Sequence, residues 1–174
     1  MLRPILALAF AATCAAADPV LDPCVDAKAW IFSPGKEFPG ATGSLAAASG
    51  GLTLAWDFSA GGHYVAAQCT ATVPAGTTAV AFELEAALPC AVTVRMQDAD
   101  KRSFQGAYVV LKAGRNRVMQ PCTGPWAGSW GGSAEAGADP GRPLSFTLLV
   151  DHRQPTPKAG GLTIVRVEAL PAPK

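Results

Sequence analysis

The chain has 174 residues, 18 of them glycine and 15 proline, and its 14 basic and 13 acidic side chains give a formal charge of +1. So many helix breakers exclude a helical bundle, a hydrophobic share of 49 % is too apolar for disorder, and the length fits one domain with its own core. Phosphate backbones and anionic lipid attract a basic surplus that is missing here, so nucleic acid and membrane-surface roles are not expected.

At the N-terminus, Arg3 supplies a short positive stretch, residues 5–13 are apolar but too few to span a bilayer, and Ala15-Ala16-Ala17 forms a small-residue cleavage site. Residues 1–17 therefore read as a secretory signal peptide. The mature chain is expected to be secreted or periplasmic, with no membrane-inserted segment. Lipoprotein processing at Cys14 is the alternative, disfavoured by Thr13 before it. Removing Arg3 leaves 13 basic against 13 acidic side chains. Cys24, Cys69, Cys90 and Cys122 remain, and an even number of cysteines in an oxidising compartment predicts two disulfides, with the connectivity open. None of these cysteines has zinc-knuckle spacing, and His63 and His152 lack partners at metal-ligand spacing. No cofactor is expected, and a structural calcium ion is left undecided.

Residues 18–27 read as an extended N-terminal segment, and the domain proper is expected over 28–170. A first strand is predicted at 29–32. Leu52, Leu54, Trp56 and Phe58 then alternate with Thr53, Ala55 and Asp57, and Ser59-Ala60-Gly61-Gly62 turns the chain. A second long run covers 63–73. Residues 77–88, free of glycine and proline and rich in alanine, glutamate and leucine, suit a helix by propensity. The alternation of Val80, Phe82 and Leu84 with Ala81, Glu83 and Glu85 makes them a strand instead. Val92, Val94 and Met96 alternate with Thr93, Arg95 and Gln97, the turn formers Asp98-Ala99-Asp100-Lys101 follow, and 103–111 resumes the strand pattern. Leu144, Phe146, Leu148 and Val150 alternate next, and 162–170 is the last run before the tail 171–174.

At least eight short strands with Gly/Pro turns predict an all-β fold, a two-sheet antiparallel β-sandwich of jelly-roll type. Its predicted core holds Trp56, Phe58, Phe82, Leu84, Val92, Val94, Phe104, Phe146 and Leu148, with Trp30 also inside. The longest segment without strand character is 122–143, which carries Trp126 and Trp130. Loops of this length are commonly functional or disordered, and two tryptophans argue against disorder of the first half.

Catalytic signals are weak. Glu83 and Glu85 share a strand face at about 6.5–7 Å, near the spacing of an inverting glycosidase pair, but any i, i+2 pair has that spacing and nothing predicts a cleft. Ala127-Gly128-Ser129-Trp130-Gly131 comes within one residue of a nucleophile elbow but lacks the helix that such an elbow requires, and adjacent Asp151 and His152 would point to opposite faces of a strand. No enzyme is expected. Trp126 and Trp130 could instead stack on sugar rings, while Arg95, Gln97, Gln105 and Tyr108 form a polar set suited to sugar hydroxyls.

Trp30-Ile31-Phe32-Ser33-Pro34-Gly35-Lys36-Glu37-Phe38-Pro39-Gly40-Ala41, Gly51-Leu52-Thr53-Leu54-Ala55-Trp56-Asp57-Phe58 and Gly61-Gly62-His63-Tyr64-Val65 occur in this order. Val94-Arg95-Met96-Gln97-Asp98, Ser103-Phe104-Gln105 and Trp130-Gly131-Gly132 follow. Together they resemble the carbohydrate-binding jelly-roll modules attached to bacterial glycoside hydrolases, over roughly residues 28–170. The resemblance implies a galactose-binding-like sandwich that docks on a polysaccharide or other glycan without cleaving it. It also implies a separate glycoside hydrolase as a partner. A structural or protein-interaction domain of the cell envelope is the alternative.

Overall fold

The computed structural model describes residues 20–132 and 143–172. The expected signal peptide and the second part of the tryptophan loop lie outside them. Among the described residues the chain forms thirteen strands and one short 3-10 turn, Ala27–Ala29. The strands are β1 (Val20–Asp22), β2 (Trp30–Ser33), β3 (Thr42–Ala48), β4 (Gly51–Asp57), β5 (Tyr64–Thr72), β6 (Thr77–Ala86) and β7 (Cys90–Gln97). They continue with β8 (Ser103–Gln105), β9 (Val109–Leu111), β10 (Gly114–Pro121), β11 (Gly128–Trp130), β12 (Pro143–Asp151) and β13 (Ala159–Pro171).

All pairings are antiparallel. The first sheet runs β10-β6-β13-β4-β3 with β1 also beside β13, and the second runs β11-β8-β7-β12-β5-β2 with β9 also beside β7. The chain passes between sheets as it goes: β4 in the first, β5 in the second, β6 in the first, β7 in the second. This is the jelly-roll sandwich expected from the sequence. The last two strands take central places, β12 between β7 and β5 and β13 between β6 and β4.

Alternation built these strands as predicted. Leu52, Leu54 and Trp56 of β4 and Val80, Phe82 and Leu84 of β6 are buried from one sheet, facing Val92, Val94, Met96, Leu144, Phe146 and Leu148 from the other. Every residue of the predicted core is buried, as is Trp30, whose indole N–H donates to Asp22 Oδ2 at 3.0 Å. Residues 77–88 adopt the strand pattern because burying Phe82 and Leu84 against the facing sheet outweighs helix propensity.

Several expectations are corrected. Strands β3 and β10 fall where no strand was predicted, and β11 forms inside the loop taken to lack one. The run 103–111 divides into β8 and β9, which pair with opposite ends of β7. Residues 20–27, within the segment expected to be extended, join the sandwich: β1 pairs with β13 and Cys24 enters the core. Cys24, Cys69, Cys90 and Cys122 are buried and present as free thiols. Cys24 and Cys69 lie near each other, the Cys69 thiol contributing to the raised pKa of Cys24, whereas Cys90 opens β7 beside the β6–β7 turn and Cys122 donates its N–H to Thr78 O near the far end of β6. Burial raises all four thiol pKa values, Cys69 to about 12 and Cys90 to about 11. Alkylation of the folded, unreduced protein is therefore expected to be slow, and of the denatured protein complete at all four. Mass spectrometry that found any of them protected after denaturation would restore a disulfide.

Candidate functional site

Strand pairing arranges the outward residues of the second sheet in rows. One row runs Gln105, Arg95, Thr147, Gln68 and Ile31 across β8, β7, β12, β5 and β2. The next runs Trp130, Ser103, Gln97, Ser145 and Thr70 across β11, β8, β7, β12 and β5. These positions point outward because Val94, Met96, Phe146 and Cys69, their alternates, point into the core. Five strands at about 4.8 Å spacing make each row about 19 Å long.

Arg95 organises one end of this face. Its guanidinium carbon lies 4.7 Å from the centre of the Trp130 ring, and its Nη2 donates to Gln105 Oε1 at 3.0 Å. Stacked in this way, the indole is held in place while 46 % of Trp130 stays exposed. Alongside, Gln97 Nε2 donates to Ser103 Oγ at 3.2 Å.

On the other side of Arg95, the Tyr64 hydroxyl donates to Glu37 Oε1. Glu37 sits in the loop 34–41, which is clasped against the loop 58–63 by glycines. A side chain on Gly62, at φ 86°, would come within 2.4 Å of Ala41 N, and one on Gly40, at φ 119°, within 2.4 Å of Ala60 O. The Tyr64 bond, with Arg95 as a smaller contributor, lowers the Glu37 carboxyl below its ordinary range. Burial and the Glu37 partner push Tyr64 up to about 12. Glu37 therefore carries a negative charge beside the positive Arg95.

Of the residues singled out from sequence, Arg95, Gln97, Gln105 and Trp130 come together. Trp126 does not join them: it is half-buried, packs against the core and lies 5.1 Å from Phe104 between ring centres. Its loop position leaves it on the inner side, whereas β11 turns Trp130 outward. Tyr108 also stands apart, donating to Asp151 Oδ2 at 2.5 Å. Burial of Asp151, 1 % exposed, would raise its pKa, but bonds from Arg153 and Tyr108 outweigh this and hold it below the usual carboxylate range. Tyr64 shares its strand face with Gln68 at i, i+4, so the alternation of β5 could have revealed it. Glu37 reaches the site only through tertiary packing.

The weak catalytic candidates are dispersed. Glu83 is ion-paired with Arg117 at 2.7 Å on the first sheet, and Ser129 pairs with Phe104 while His152 stacks on Phe58 at 5.0 Å. Among the described residues no group of three or more His, Cys, Asp and Glu could hold a metal.

Tyr64 and Tyr108 are the only tyrosines of the chain, and both have raised pKa values, chiefly through burial and then through their carboxylate partners. A folded pKa above the unfolded 10.0 means that this stability is complete below pH 10 and, for Tyr64, lost as pH rises toward about 12. Tyrosinate absorbance of the folded protein is expected to rise only beyond pH 10, and in denaturant at the ordinary midpoint. A folded midpoint at 10 would mean that Tyr64 and Glu37 are not bonded.

No family model and no curated protein matches the sequence. Solved structures do match. The family 11 carbohydrate-binding module CtCBM11 superimposes with a TM-score of 0.63 at 11 % identity, covering 93 % of this chain and 99 % of that one. The family 11 module from Clostridium thermocellum in complex with a beta-1,3-1,4-mixed-linked tetrasaccharide gives a TM-score of 0.60 at 9 % identity, covering 89 % and 96 %. An exo-beta-agarase structure gives 0.59 at 12 % identity, covering 91 % of this chain and 26 % of that one. At such identities the likeness is one of fold: this chain has the jelly-roll fold of carbohydrate-binding modules.

Proposed function

We propose that the chain is a secreted, non-catalytic carbohydrate-binding module that docks on a neutral polysaccharide through the outer face of its second sheet. The observation that carries this reading is Trp130, half-exposed and braced by Arg95 at the end of two rows of hydroxyl and amide side chains. An indole offers an apolar plane to a sugar ring, and burying about 100 Å² of it contributes about 2.5 kcal/mol. A millimolar-to-micromolar binder needs roughly 4–8 kcal/mol, which leaves a few hydrogen bonds from Arg95, Gln97, Gln105 and Thr147 to supply the remainder. The Glu37 carboxylate beside Arg95 favours a neutral glycan over an anionic one, since it offsets the cation stacked on Trp130. A family 11 module was solved with a tetrasaccharide, which agrees with a face about 19 Å long. A module of this kind would serve a separate glycoside hydrolase by holding the substrate near it.

The test is binding of the purified domain to a panel of neutral and anionic polysaccharides, with Trp130→Ala in parallel. Retention on at least one neutral glycan, lost in the folded variant, is the expected result. No retention on any member, or retention that Trp130→Ala leaves intact, would overturn the reading and favour an interaction domain of the cell envelope.

A further inference from the structure

The first sheet carries a separate feature on its own outer face. Between β13, the β6–β7 turn and the start of β10 lies a hollow of about 370 Å³. This is within the size range of small-molecule sites. Thr53, Thr163, Glu85, Ala87 and Gly161 are among the residues that line it.

Gly161 is the informative residue. Glycine weakens a strand and, within one, often marks a close approach by a ligand or another backbone. Its neighbour Gly160 has a structural cause, because a Cβ there would come within 2.7 Å of Trp56 Cζ2. At Gly161 the nearest atom to an added Cβ is Leu54 O at 3.6 Å, an ordinary contact, and the backbone is not left-handed. The fold would accept a side chain at this position. What a side chain would take away is space in the hollow.

The polar groups around the hollow are available. Arg117 pairs with Glu83 at 2.7 Å and with Glu168 at 2.9 Å, and Arg166 pairs with Glu168 at 2.7 Å; these bonds pass Glu85 by. Arg115 stands opposite Glu85 in the β10–β6 ladder. Thr53 Oγ1 and Thr163 Oγ1 are 3.4 Å apart and share one hydrogen bond, so one of the two hydroxyl protons is unused. A carboxylate that accepts from vicinal hydroxyls, a free O–H donor and an apolar floor at Gly161 and Ala87 suit a polyol ring better than an ion.

We infer that this hollow is a second ligand site, which takes one neutral pyranose ring. The assignment does not rest on the Trp130 face, and the two lie on opposite sheets. The ring can be a free sugar or the terminal unit of a chain, because both present the same hydroxyls.

The experiment is an amide-resolved NMR titration of the full domain with methyl glycosides of glucose, galactose and xylose, and with neutral oligosaccharides of the same sugars. Saturable shifts are expected at Thr53, Glu85, Gly161 and Thr163, persisting in Trp130→Ala. In Gly161→Val, which suits a strand and keeps the fold, affinity at these amides should fall at least tenfold; in Glu85→Gln it should fall several-fold. Shifts with oligosaccharides alone would support the site with a chain end as its source. No shift at these amides with any probe, or shifts that Gly161→Val leaves unchanged, would overturn it. Loss of the shifts on the second sheet in Trp130→Ala reports on the other site separately.

Discussion

Trp130→Ala is expected to weaken glycan binding roughly seventyfold, the equivalent of the about 2.5 kcal/mol gained when a sugar ring covers about 100 Å² of indole. Isothermal titration with the glycan selected from the panel reads this directly. Arg95→Met should also weaken binding, by about tenfold, because it keeps the aliphatic stem but removes the cation over the indole and the bond to Gln105. Trp126→Ala separates site from scaffold. Its ring packs on Phe104 and the core, so its loss should cost about 2 kcal/mol of stability and leave affinity unchanged. The reverse pattern, affinity lost at Trp126 and kept at Trp130, would put the sugar on the other side of the loop.

Phe146→Ala and Phe82→Ala should each cost about 3–5 kcal/mol. These are the largest fully buried side chains, Phe82 from the first sheet and Phe146 from the second. A domain of this size has roughly 5–15 kcal/mol in total, so either change would leave little folded protein at moderate temperature. Ile31→Ala provides the contrast. Ile31 is 65 % exposed on the outer face of the second sheet, and its truncation should fall within about 0.5 kcal/mol. Urea melts of the three variants check the ranking, and comparable losses for all three would mean that the core is not where the burial pattern puts it.

Strands that bury one face were legible in the sequence, because burial imposes alternation: Leu52 to Phe58, Val92 to Gln97 and Leu144 to Val150 each show it. Strand β3 did not, since Thr42, Gly43, Ser44, Ala46, Ala47 and Ala48 are all exposed and nothing constrains alternate positions. Strand β10 was hidden for a related reason: Arg115, Arg117 and Met119 cover its outer face, and only Val118 and Gln120 are buried. At the site, period two correctly grouped Arg95 with Gln97. The difference between Trp126 and Trp130 depends on the pairing of β11 with β8, which no local pattern encodes. The pairing of Glu37 with Tyr64 likewise joins positions 27 residues apart through a glycine clasp. For the cysteines, counting them supplied no distances between sulfur atoms.

The central placement of β12 and β13 has a consequence for how the molecule comes into being. During synthesis, β4 and β3 can pair early and β10 can join β6, but these pairs stay apart until the strand that lies between them has been made. The second sheet waits in the same way for β12 to bridge β7 and β5. Val20 cannot meet its partner Glu168, nearly 150 residues further on, until that residue has been made. Folding is thus slow and cooperative, dominated by long-range pairing. Until residues 143–171 have been made, the growing chain holds unpaired hydrophobic strand edges, the kind of surface on which incomplete chains associate with one another.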